Sequence, residues 1–228
     1  MKRLPIVIMM LIAGSFLAFK TMGNGTPGNP PSKYEQIMKL VGEMLSQAHF
    51  SPQDIDDAFS KKVFTKFTND LDPEKNMFLK TDFSTLKKQE ISVDDELKGA
   101  PVEVFKTVGK TFDTRMEDAA SLYKEVLSNP FDFTIDEDVL LDADQLDYPV
   151  DMSEKKERWR KKLKYMTLER YADLLETREK NKGKEGFVVK SDKELEKEAR
   201  ERVQKIMDRT FDRYRYKFND DDKFNVYV

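Results

Sequence analysis

Residues 49–82 read HFSPQDIDDAFSKKVFTKFTNDLDPEKNMFLKTD, and a helix start, an apolar stripe and a helix stop fall there in one register. Ser51 offers a side-chain oxygen suited to an N-cap, and Pro52 has its φ preset for a first helical position. Asp54 puts negative charge where the helix dipole favours it. Ile55, Phe59, Val63 and Phe67 recur every four residues, with Phe64 and Leu71 beside them. Leu71-Asp72-Pro73 ends this helix, because the residue before a proline avoids the α region. A short helix capped by Thr81 or Asp82 follows over 81–88.

The helical reading extends outward in both directions. Upstream, Ile37, Leu40, Val41, Met44, Leu45 and Ala48 make one apolar face on a helix that closes at His49-Phe50. Downstream, Gly99-Ala100-Pro101 breaks the chain. Phe105, Val108, Phe112, Met116, Ala119, Tyr123 and Val126 then form a long clean stripe that stops before Asn129-Pro130. The pattern dissolves over 131–151, where Phe-Asp-Phe-Thr either pairs as a short strand or docks on helices, and an acidic loop follows. A long helix starts at Ser153, with Trp159, Leu163, Met166, Tyr171, Leu174 and Leu175 available for burial. After a charged turn at 182–186, Ser191 and Glu194 have capping-box spacing. Leu195, Ala199, Val203, Ile206, Thr210, Tyr214 and Phe218 mark the face of the last long helix. The fold class is all-α: crossing and antiparallel helices in one helical domain over 33–228, with neither internal repeat nor strand–helix alternation.

Composition agrees with a packed, polar-surfaced domain. The 228 residues are 36% charged, yet 16 Phe and 8 Tyr supply a core. The absence of cysteine excludes disulfides, thiolate metal sites and a cysteine nucleophile. Lys2 and Arg3 precede the apolar run LPIVIMMLIAGSFLAF, which falls short of the about 20 residues of a membrane span. Residues 1–22 are read as a signal peptide or N-terminal anchor, and 23–32 as a Gly/Pro linker. Either way the remainder is exported. Removing 1–32 takes away Lys2, Arg3 and Lys20 and no acid, so the rest is more acidic than the whole-chain net charge of −3. Nothing in that balance asks for nucleic acid.

Each candidate site has a plainer reading beside it. Gly23, Gly25 and Gly28 match G-x-G-x-x-G, but no strand precedes them and prolines surround their exit, so dinucleotide binding is rejected. The Asn24 glycosylation sequon lies in the same linker and is read as accidental. His49 is the one histidine and sits at a helix end, a boundary role. Ser60, Lys61 and Lys62 are adjacent on a helix and point to different faces, so they form no dyad by themselves. Asp132, Asp136, Glu137, Asp138, Asp142, Asp144 and Asp147, like Asp220–Asp222, lack the glycine and spacing of a calcium loop. Lys155, Lys156, Arg158, Arg160, Lys161, Lys162 and Lys164 surround Trp159, while Arg209, Arg213, Arg215 and Lys217 interleave with Phe211, Tyr214 and Tyr216. Such mixtures serve single-stranded nucleic acid. A pI near 5.5 favours instead an aromatic core stripe with a charged outer face. No catalytic, cofactor or metal residue is assigned.

Part of the opening stretch resembles the N-terminal helical region of the tail-specific, or carboxy-terminal processing, serine peptidases. The similarity is carried by His49, Phe50, Asp56, Asp57, Phe59, Ser60, Lys61, Phe64, Leu71, Asp72, Phe78 and Asp82. Residues 157–165, ERWRKKLKY, resemble that family's Trp-centred helix, and 129–133, NPFDF, its link into an acidic loop. Arg209, Phe211, Tyr214 and Tyr216 stand where the family has an Arg/Tyr-rich helix. In the family, PDZ-like and Ser-Lys catalytic domains follow this region, and nothing up to Val228 matches them. Apolar residues 224–228 read as an element still in progress, so a fragment or split gene is expected.

The resemblance implies a non-catalytic part of an exported, periplasmic protease. Its full-length relatives hydrolyse peptide bonds with a Ser nucleophile and a Lys base, without metal or cofactor. The roles implied are domain scaffolding, substrate enclosure and adaptor docking. The implied partners are the PDZ and protease domains, polypeptide substrates and an envelope adaptor. The alternative is a stand-alone envelope adaptor, chaperone-like, that binds polypeptides between its helices.

Overall fold

Asp56 decides where the first well-packed helix begins: its carboxylate accepts the Phe59 N–H at 2.9 Å. The computed structural model describes residues 31–47 and 54–228. In chain order the helices are α1 (Lys33–Gln47), α2 (Asp57–Leu71), α3 (Lys80–Leu86), α4 (Val93–Leu97) and α5 (Val104–Leu127). Then come α6 (Met152–Asn181), α7 (Asp192–Lys217) and α8 (Asp220–Tyr227). Short 3-10 turns lie at Lys87–Gln89 and Ala143–Gln145, and the described residues hold no strand. The fold is all-α, as the periodicity requires.

Buried faces from all eight helices meet in one core. Phe64 and Phe67 of α2, Phe105 and Phe112 of α5, and Leu163 of α6 are sealed from solvent with Phe211 of α7 and Phe224 of α8. α5 runs through this core and packs on α6, α7 and α8. α6 and α7 pair as a long antiparallel hairpin whose far end has its own small core of Leu174, Leu195 and Ala199. Ser191 and Glu194 form the expected capping box, with Ser191 N–H donating to Glu194 at 2.8 Å.

Several boundaries differ from the sequence reading. Ser51 and Pro52 lie outside the described residues, and α2 starts at Asp57 because Asp56 supplies the cap. Neither Thr81 nor Asp82 is the cap of α3; Leu79 holds that position, and Asp82 reaches back from inside the helix to accept Leu79 N–H at 2.8 Å. The Phe-Asp-Phe-Thr segment docks instead of pairing as a strand, with Phe133 stacked on Tyr171 at 5.2 Å between ring centres. α8 was not anticipated. Asn219 accepts from Asp221 and Asp222, so Asp220–Asp222 form a first helical turn where the dipole favours them. Within 224–228, Phe224 and Tyr227 are buried in the core, and the Tyr227 hydroxyl donates to Glu96 at 2.6 Å.

The predicted face of α1 is also corrected. Met38 and Gly42 are its buried positions; of the predicted face Val41 and Leu45 are half-buried, with Val41 packed on the core, whereas Ile37, Leu40 and Met44 are exposed. Ala48 lies outside the described residues. The cause is close backbone approach: a Cβ on Gly42 would run into the Leu97 carbonyl oxygen of α4. The contact face therefore centres on a glycine, which apolar counting overlooks.

Candidate functional site

The two stretches that carry the family resemblance meet in space around the turn after α2. Asp72, at the end of α2, is 2% exposed and accepts three successive amides: Asn76 at 2.8 Å, Met77 at 2.9 Å and Phe78 at 3.0 Å. Lys75 within this turn takes a left-handed φ of 50°, which a side chain tolerates only when its surroundings hold it. From α6, the Trp159 indole donates to the Asn76 carbonyl at 3.2 Å, and Lys155 donates to the Met77 carbonyl at 2.5 Å. Lys155 also donates to the Arg115 carbonyl of α5 at 3.0 Å. The Arg115 guanidinium forks onto Asp82 at 2.7 and 2.9 Å and reaches Asp118 at 2.9 Å.

Burial sets the protonation behaviour of this hub. It raises the Asp72 carboxyl above the ordinary carboxylate range, with the three amides opposing. Burial would raise Asp82 too, but Arg115 and the Leu79 amide hold it below the ordinary value. The Lys155 amine, fully sealed, is pushed down by burial to about 8, against the pull of Asp118, Asp72 and Asp82 and with Arg115 adding to the push.

A lysine with a lowered pKa is what a Ser-Lys enzyme needs as its base. Lys155 is not placed for that work. Its hydrogen-bond partners are two carbonyls, neither a hydroxyl, and its side chain is buried. Its effect appears in stability instead. Between pH 8 and 9.5 the unfolded chain holds the proton that folded Lys155 releases, so unfolding free energy is expected to rise by about 2 kcal/mol across that window. Lys155→Met should lack the rise. Urea titrations of both proteins at pH 7, 8, 9 and 9.5 check this, and parallel curves would refute it.

The other sequence candidates are placed as follows. His49 lies outside the described residues. Ser60 is buried, donates to Asp94 at 2.8 Å and accepts the Asp94 amide at 2.9 Å; Lys61 and Lys62 are exposed. The triplet thus splits between core and surface, as adjacency on a helix demands. The basic run around Trp159 is not wholly an outer face, since Lys155 and Lys164 are buried and bonded to carbonyls. Sequence reading missed this because a lysine stem packs like an apolar chain once its amine finds acceptors. Arg215 stays exposed and pairs at the surface with Glu117 of α5 at 2.6 Å, whereas Phe211 joins the core.

The 131–151 segment straps across α6. Lys164 donates to the Ile135 carbonyl at 2.8 Å, and Arg160 holds Glu137 at 2.8 Å, keeping that carboxyl below its usual range. Asp132 is occupied by Thr134, and Asp142 by the amide of Asp144 at 3.1 Å. Among the described residues no three His, Cys, Asp or Glu side chains converge as metal ligands. Beside the strap lies an open cleft of about 280 Å³ lined by Leu140, Leu141, Leu146 and Lys161. Among the described residues no helix is long and apolar enough to cross a membrane.

Hub, strap and hairpin all fall inside one region of similarity to known proteins. A family model described as "Tail specific protease N-terminal domain" matches residues 41–228.

Proposed function

The chain belongs to the tail-specific protease N-terminal domain family, and on that premise we propose that it acts as the non-catalytic N-terminal part of an exported carboxy-terminal processing serine peptidase. The family match over 41–228 carries this reading. The resemblance-bearing side chains support it, because Asp72, Phe78, Asp82 and Trp159 are occupied in holding the fold together. None of them faces solvent in a way that serves catalysis. The chain then contributes scaffolding, and its partners are the PDZ and Ser-Lys protease domains of the parent enzyme and the polypeptides it encloses. A docked envelope adaptor belongs to the same reading. Residues 1–22 direct export or anchor the protein, and 23–32 link them to the helical domain.

The test is the size of the native product in cell envelopes, detected with an antibody raised against residues 54–82. A band far above 26.7 kDa is expected, with the catalytic groups in the added mass. A band at or below that mass would overturn the proposal and favour the stand-alone polypeptide-binding adaptor.

A further inference from the structure

An open cleft lies where α2 ends against α7 and α8. It encloses about 570 Å³ and is walled by Leu71, Pro73, Tyr214, Phe218 and Val226. Arg209 and Arg213 of α7 also line it. Both arginines are exposed, and neither has a hydrogen-bond or ion-pair partner among the described residues. Elsewhere on this surface Arg115, Arg160, Arg178, Arg200 and Arg215 each sit on a carboxylate. Like charges one helical turn apart repel. Asp70, the acidic residue of the lining, does not offset them, because Lys66 engages it at 2.6 Å.

We propose that this cleft docks an extended polypeptide segment in which acidic and apolar residues alternate. The acids face Arg209 and Arg213, and the apolar side chains enter between Leu71, Phe218 and Val226. The spacing fits. Helix residues four apart carry their Cβ atoms about 6 Å apart. Alternate residues of an extended chain lie about 6.6 Å apart on one face. Two carboxylates at i and i+2 therefore meet the two guanidiniums in register, and residue i+1 points toward the apolar wall. Single-stranded nucleic acid fits less well, since stacking needs free ring faces. Tyr214 and Phe218 are half-buried, and their rings are already packed edge-to-face with Phe112 and with each other. The inference goes beyond the family reading and does not depend on it, because the chemistry of the cleft is the same whichever protein supplies the segment.

The test uses the whole chain and a fluorescein-labelled peptide, Gly-Leu-Asp-Leu-Asp-Leu-Gly, followed by fluorescence anisotropy. Saturable binding is expected. The double variant Arg209→Glu with Arg213→Glu should bind it at least about tenfold more weakly, with an unchanged circular dichroism melt. A peptide with Lys in place of both Asp should prefer the double variant over the wild type. Equal binding of the acidic peptide by both proteins, or no saturation up to about 1 mM, would overturn the proposal. So would tighter binding of an oligothymidine, or arginine-dependent self-association without peptide binding, which would assign the cleft to a second copy of the chain. The native-size experiment is independent of all these outcomes.

Discussion

Asp72→Ala is expected to lower the unfolding free energy by about 4 kcal/mol, the sum of stranding buried amides that its carboxylate now accepts. The three amides of Asn76, Met77 and Phe78 all end on this one side chain, at 2.8 to 3.0 Å. Phe78 is fully buried, so the turn that carries it cannot swing out to water without uncovering core. Lys75 would lose what keeps its left-handed backbone in place, and Lys155 would lose a neighbouring negative charge. Asp72→Asn keeps the shape and one acceptor oxygen, so about half the loss is expected. Urea unfolding at pH 7 measures both. A loss under about 1 kcal/mol for the alanine variant would mean that water replaces the carboxylate, and the hub would not be the fold's central constraint.

Trp159→Ala should cost a similar amount, about 4 kcal/mol or roughly 10 °C in melting temperature. Trp159 is 4% exposed, packs against Phe211 with ring centres 5.9 Å apart, and bonds the Asn76 carbonyl. The Lys162 ammonium lies 5.5 Å over the same ring. Removal leaves a cavity between α6, α7 and the turn, together with an orphaned carbonyl. Trp159→Phe refills most of the space without restoring the indole bond, so roughly 1.5 kcal/mol is expected. Calorimetry on the three proteins separates the terms. Equal losses for Phe and Ala would place the energy in the hydrogen bond and not in packing.

These two side chains tie together the stretches that carry the resemblance. Residues 72–82 and the Trp159 helix belong to separate stretches of chain, yet each is the other's binding surface. Their residue types are constrained by a shared buried network without any need for chemistry. α8 was hidden because its acidic first turn resembles a solvated loop or cation site until Asn219 is recognised as its cap. The fate of the arginines on α7 was hidden as well. Phe211 and Tyr214 obey the helical period, but nothing local tells Arg215, paired with Glu117, from Arg209 and Arg213, which form no ion pair among the described residues.

The long helices, their order and most of their ends were determined by the sequence alone, because they rest on contacts three or four residues apart: the four-residue apolar repeats, the Ser191–Glu194 box, and the proline and glycine stops; the short α4 and α8 were not legible there. The tertiary structure decided which faces are buried and which charges are partnered. Gly42 of α1 comes up against the Leu97 backbone of α4, and Lys155 is sealed against a carbonyl 78 residues away. A charged or small side chain reads the same along the chain whether it meets water, a carbonyl or a neighbouring backbone. Only packing between distant segments supplies the desolvation and the acceptors that fix its role.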